Sequence, residues 1–258
     1  AVEAAASTGG QIMPPVMGAG AFIMAQFLGV PYIEVALAAV VPALLYYFAV
    51  MVQVHFEATR LGLKGIPWSQ LHPLWPLLRS KGFLLIPLVA IIYFLLAGFT
   101  PLRAAFNGIL VSFVLSWLNK ETRLTPPRIM EAFETGARGA IGVACACATV
   151  GMVVGMGTLT GLALRIANAI VTLAGGSKIL TLFYTMLASI VLGTGLPTTA
   201  NFIVTSTMAA PALFKLGVPA KAAYMFVFYF GIAADLTPSV ALAACAGSGI
   251  AGSDPMKT

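Results

Sequence analysis

Three short stretches of this chain set polar, glycine- and proline-broken backbone between apolar runs. They are Thr8-Gly9-Gly10-Gln11 ahead of Pro14-Pro15, Gly193-Thr194-Gly195-Leu196-Pro197-Thr198-Thr199-Ala200-Asn201, and Ala233-Ala234-Asp235-Leu236-Thr237 ahead of Pro238. A fourth interruption, Thr158-Leu159-Thr160, follows Gly155 and Gly157. Unwound backbone inside a bilayer exposes carbonyls and amides that lipid cannot satisfy, so it persists only when buried in protein or facing a watery cavity. Those exposed groups are natural ligands. Carbonyls at a break, joined by the hydroxyls of Thr194, Thr198, Thr199 and Thr237, supply the hard oxygens that a desolvated Na⁺ requires, while amino-end dipoles of half-helices favour an anion. Asp235 adds a full negative charge, which is costly enough inside a membrane to point to function. Gly193, Thr198, Asp235 and Thr237 are the candidate Na⁺ ligands, and the chain calls for no organic cofactor. A single break also reads as a simple kink, and Thr or Ser hydroxyls often bond back to their own helix. Four breaks together favour at least one ion or substrate site.

Enzyme chemistry finds little support in the same residues. The two histidines, His55 and His72, fall in a basic loop, and no Ser/His, paired-Asp or metal-ligand set lies within the apolar runs. Cys145, Cys147 and Cys245 sit in Ala/Gly/Val-rich stretches and read as small packing residues.

The elements that must position these groups are transmembrane helices. Hydrophobic residues make up 60% of the 258 positions and charged ones 9%, against about 25% charged in a soluble domain. Successive apolar runs approach the roughly 20 residues that cross a bilayer. The net charge of +6 comes from single cations between these runs, which is a topology signal rather than a nucleic-acid docking stripe. From the pattern, residues 1–52 hold a Pro-broken helix and a span opening at Pro31, with Glu34 favoured at its amino end. Residues 53–82 form a basic interfacial loop with Trp68 and Trp75, read as cytoplasmic, and 83–118 form a helical pair turning at Gly98-Phe99-Thr100-Pro101. A basic connector spans 119–130. In 131–258, Gly151-x-x-x-Gly155 and Gly157-x-x-x-Gly161 permit close helix approach. A hairpin dipping into the membrane and one long span are equally compatible with the run around Thr158. Arg138 and Arg165 read as helix-end or interfacial residues.

An internal repeat joins the two ends. Ile12-Met13-Pro14-Pro15-Val16 aligns with Leu236-Thr237-Pro238-Ser239-Val240, each leading into a small-residue helix. Paired proline-broken segments of this kind mark the binding site in repeat-built transporters.

The motifs from Ala6 to Pro15, Gly193 to Asn201 and Ala234 to Pro238 resemble those of the tripartite ATP-independent periplasmic (TRAP) transporter permeases, most closely the fused-permease branch, and the resemblance covers essentially the whole chain. It implies an all-α polytopic membrane protein of inverted-repeat, elevator type, with discontinuous helices and a re-entrant hairpin, in the bacterial inner membrane. It implies Na⁺-coupled import of a small organic anion handed over by a periplasmic substrate-binding protein. On this view residues 1–28 end a first transport repeat, 83–118 are a scaffold pair and 131–252 a second repeat, so the chain reads as a fragment of a longer permease. The breaks at Thr8, Gly9, Gly10 and Gln11, at Gly193 to Asn201, and at Ala233 to Thr237 would lie in the ion and substrate region. Gly155, Gly157 and Thr158 would lie near the second hairpin tip. Ser239 stands where a second proline is usual. An elevator carrier without a binding protein, an intramembrane enzyme and a structural subunit are the rival readings.

Overall fold

Proline and glycine punctuate the helices in this computed structural model, which describes residues 2–63, 65, 75, 82–117, 123–237 and 242–254. Every regular element among them is helical. Helices α1 (Val2–Gly9), α2 (Ala19–Leu28) and α3 (Tyr32–Arg60) are followed by a 3₁₀ turn at Gly82–Leu85, α4 (Ile86–Leu96), α5 (Pro101–Ser116) and α6 (Pro126–Leu159). Then come α7 (Leu162–Leu173), α8 (Lys178–Gly193), α9 (Thr198–Met208), α10 (Ala210–Lys215), α11 (Ala220–Ala233), a 3₁₀ turn at Ala234–Leu236, and α12 (Leu242–Ala251). Helices α3, α5, α6, α9 and α11 each open at or just after a proline, which has no amide hydrogen to lose there. Gly29, Gly161 and Gly217 take positive φ just outside helices, the conformation that a side chain would strain.

The chain divides into two units. The first comprises Ala1–Val30, Glu34–Val50 and Ala140–Thr258. At its centre Phe202 of α9 and Phe228 of α11 meet edge to face, with centroids 5.7 Å apart, and both are buried. Helix α2 comes close to this pair because Gly20 has no side chain: a Cβ there would lie 2.9 Å from Phe202 Cβ and 2.7 Å from Phe228 Cε2. Helix α11 packs against α8, α9 and α2, and α1 packs against α12. Thr181, Thr185 and Ser189 recur at four-residue spacing along α8 and are fully buried, as are Asn201 and Thr205 on α9. Burying hydroxyls on helices is tolerable when they bond back four residues, as Thr181, Ser189 and Thr205 do.

The second unit comprises Pro31–Ile33 and Met51–Gly139. Helices α4 and α5 pack along each other, closely at Gly108, where a Cβ would fall onto Ile91 Cγ1. Phe94 and Phe99 meet edge to face at 5.5 Å, and the Arg103 guanidinium lies 5.0 Å over the Phe99 ring. Exposed ion pairs join Glu57 to Arg60 and Glu134 to Arg138.

Among the described residues, two helices are long and apolar enough to cross a membrane, Tyr32–Arg60 and Pro126–Leu159. At 1.5 Å per residue they extend about 44 Å and 51 Å, beyond a hydrocarbon core of about 30 Å.

The helices depart from the sequence reading in several places. Helix α3 runs on to Arg60, through residues 53–60 that the pattern assigned to a loop, and α6 starts at Pro126, inside the expected connector 119–130. Of the two readings of the run around Thr158, the single long span is excluded, because α6 ends at Leu159 and the chain turns at Thr160-Gly161 into α7. The apolar run after Asn201 is cut again at Ala209, because Pro211 lacks the amide hydrogen that a continuous helix would donate to Thr207 O. The close approach expected at Gly151 and Gly155 is absent among the described residues, since a Cβ at either meets nothing within 4 Å; that face of α6 is open. Much of the expected basic loop (Lys64, Pro67, Trp68, His72, Pro73, Pro76, Arg79, Lys81), Asn119 and Lys120 of the connector, and Pro238 and Ser239 of the repeat lie outside the described residues.

Candidate functional site

A helix that stops inside a protein leaves its last carbonyls without intrahelical donors, and the site of this chain is built around three such stops. Helix α1 ends at Gly9, α8 at Gly193 and α11 at Ala233, so each of the three sequence motifs begins where a helix gives out. The chain after α1 turns through Gly10 and Gln11 by short-range backbone bonds, and Gly18 N–H donates back to Gln11 O at 2.7 Å. That loop presents the Gln11 carboxamide.

The three breaks meet through this one side chain. Thr198, in the first turn of α9, donates from its hydroxyl to Gln11 Oε1, and Gln11 Nε2 reaches Asp235 Oδ2 at 3.5 Å. Residues 11, 198 and 235 are thereby joined in a single polar chain. The loop and α9 are also in van der Waals contact, since a Cβ on Gly18 would lie 2.9 Å from Thr198 Cγ2. Asp235 is half-buried; its Oδ1 is buried and has no hydrogen-bond partner among the described residues.

Several of the predicted hydroxyls serve their own backbone. Thr8 donates to Ala4 O, Thr194 to Val191 O, Thr237 to Ala234 O and Thr158 to Gly155 O, each at 2.7–2.9 Å. A hydroxyl whose proton is spent on a carbonyl still carries lone pairs outward, so this bonding is compatible with cation coordination. Thr199 lies half-buried beside Thr198 in the same turn, and Gly195 takes a φ of 75° that a side chain would strain.

Gly155, Gly157 and Thr158 do not join this cluster. A Cβ on Gly157 would meet Met208 Cε at 2.8 Å, at the far end of α9 from Thr198, which along a helix is about 15 Å away. Thr158 is exposed.

Sequence reasoning named Asn201 as a candidate ligand and missed Tyr46 and Tyr47 as donors to a helix end. Tyr46 and Tyr47 of α3 donate to Ala5 O at 2.7 Å and Ala6 O at 3.0 Å, in the last turns of α1. The Tyr46 ring occupies the space that a Cβ on Gly9 would need. Asn201 Nδ2 donates to Gly231 O at 2.7 Å and to Gly193 O at 3.4 Å, the final turns of α11 and α8. Two tyrosines in an otherwise apolar span, Tyr46-Tyr47, were the available signal. Glu34 was placed by its helix-end preference alone, whereas it also pairs with Lys221 at 2.7 Å.

A large groove of about 730 Å³ in the same unit runs between α3 and α11, from Ala38 and Pro42 to Met225 and Tyr229. It is almost wholly apolar, holds none of the motif residues, and has no part in the polar chain.

No curated protein and no solved structure matches the chain. The family described as tripartite ATP-independent periplasmic transporter, DctM component, matches residues 1–258. The motifs that meet at Gln11, Thr198 and Asp235 thus sit within a membrane permease, and the chain belongs to the TRAP transporter family as its DctM component.

Proposed function

We propose that this permease couples Na⁺ entry to uptake of a small organic anion, a carboxylate, delivered by a periplasmic substrate-binding protein across the bacterial inner membrane. The observation that carries the reading is the buried Oδ1 of Asp235, unpartnered among the described residues, at the point where three helix breaks converge. An unpaired buried carboxylate oxygen is expensive, and a cation supplies the missing partner. Thr198, linked to it through Gln11, and Thr237, two residues on, have hydroxyl protons already committed, leaving lone pairs for a hard ion. Gly193 offers a carbonyl, although Asn201 already draws on it.

The packing of the chain's two ends supports a repeat-built, elevator-type carrier. Helix, break and helix recur as α1–α2 and as α11–α12, and they pair crosswise: α1 lies on α12, and α2 on α11. Two copies of one motif related by a twofold axis give that exchange.

Uptake into proteoliposomes holding the full-length permease tests this, with organic acids scanned in the presence and absence of the binding protein and of an inward Na⁺ gradient. Transport should require both, and Asp235→Ala should weaken it. Na⁺-independent transport that tolerates the substitution sinks the coupling assignment. Transport without the binding protein assigns the chain to carriers that take free solute.

A further inference from the structure

We propose that Asn201 is a positioning residue: its carboxamide clamps the carboxy ends of α8 and α11 together and so fixes the spacing of the breaks that hold Thr198 and Asp235. The proposal rests on the reading of those breaks as the transport site.

Asn201 is 2% exposed and lies one turn after Thr198. Its two amide hydrogens go to two different helix ends, Gly231 O and Gly193 O. Both acceptors belong to final turns and already take a backbone N–H, Gly231 O from Ala234 and Gly193 O from Leu196, so the amide adds a second donor to each and ties the two helix ends to one side chain. Both neighbours of the nitrogen are carbonyls, which fixes the donor side of the amide towards them.

The space around this amide is equally specific. A Cβ on Gly193 would lie 2.7 Å from Asn201 Nδ2, and one on Gly231 would fall onto Oδ1. The amide therefore fills two hydrogen-sized gaps that only glycine leaves. Oδ1 itself is buried without a partner among the described residues, so the side chain accepts the cost of one unmet acceptor to hold two donors in place. Gly231 stands four residues before Asp235, and Gly193 five before Thr198. Any slip between α8 and α11 is thereby passed to both proposed ion ligands.

Uptake normalised to inserted permease, measured over ranges of Na⁺ and of solute, tests the clamp. Asn201→Ala should raise the half-saturating Na⁺ concentration about tenfold. Gly231→Ala should act alike, because its methyl displaces the amide. In the double variant Asn201→Ala/Gly231→Ala the methyl occupies the vacated space: thermal stability should recover while the raised Na⁺ requirement persists. Where a single variant inserts poorly, the double variant carries the same comparison. Wild-type half-saturation in Asn201→Ala, or its return in the double variant, overturns the proposal, because the residue would then only fill space. If wild-type uptake proves indifferent to Na⁺, the coupling reading fails, and the clamp is judged on half-saturation by solute in the same variants.

Discussion

The two units of this chain solve the problem of burial in opposite ways. In the unit containing the breaks, fully buried positions include Thr181, Thr185, Ser189, Asn201 and Thr205. In the other, α4 and α5 bury Leu95, Ala104 and Gly108, with Ser116 the one buried polar residue there among the described residues, and turn Leu102, Phe106, Ile109 and Val114 outward. Leu102 alone is 86% exposed. Lipid is as apolar as leucine, so an outward leucine costs nothing there, and the pair needs only close packing to hold together. Buried polar groups must each find a partner, so the first unit depends on specific side chains at specific places.

If that contrast is real, substitutions should separate transport from stability. The largest effect belongs to Asp235→Ala, which should lower Na⁺-driven uptake by about 10- to 100-fold at unchanged abundance. An uptake time course in proteoliposomes checks it, and near wild-type rates would erase the contrast. Thr198→Val keeps the shape but removes the donor to Gln11, and should raise the half-saturating Na⁺ concentration about tenfold. In Gly20→Ala, a methyl forced against Phe202 and Phe228 should cost about 1–3 kcal/mol, read as a lower melting temperature in detergent, and should also slow uptake.

Gly108→Ala sharpens the comparison from the other side. The overpacking against Ile91 is of the same kind and should cost a similar 1–3 kcal/mol, but uptake per inserted molecule should stay at the wild-type level. Arg103→Ala removes only the contact over Phe99 and should shift stability by about 0.5–1 kcal/mol, near the limit of a thermal melt.

Local chemistry explains what could be read beforehand. Glycine and proline mark where a helix must stop, so the breaks after Gly9, Gly193 and Ala233 and the turn at Gly98 were legible from residue type alone. The contacts that make a site of them were not. Gln11 meets Asp235 across 224 positions and Tyr46 meets Ala5 across 41, and no periodicity encodes such distances. Asn201 was legible as a polar residue in a motif; its task depends on two glycines 8 positions before it and 30 after it. Gly151 and Gly155 of α6 misled in the opposite direction, because spacing that permits close approach does not supply a neighbour.

The side-chain donors at the three helix ends have a mechanical corollary. Beside the backbone donors at each end, α1 takes hydroxyls from α3, and α8 and α11 share an amide from α9, so each broken helix is tied at its end to a neighbour. Shearing any one of them past its neighbour breaks a side-chain hydrogen bond worth about 0.5–1.5 kcal/mol. Displacement of the broken helices together with α3 and α9 breaks none. The broken helices are therefore stiff towards internal sliding, and the easy motion left to them is a collective one.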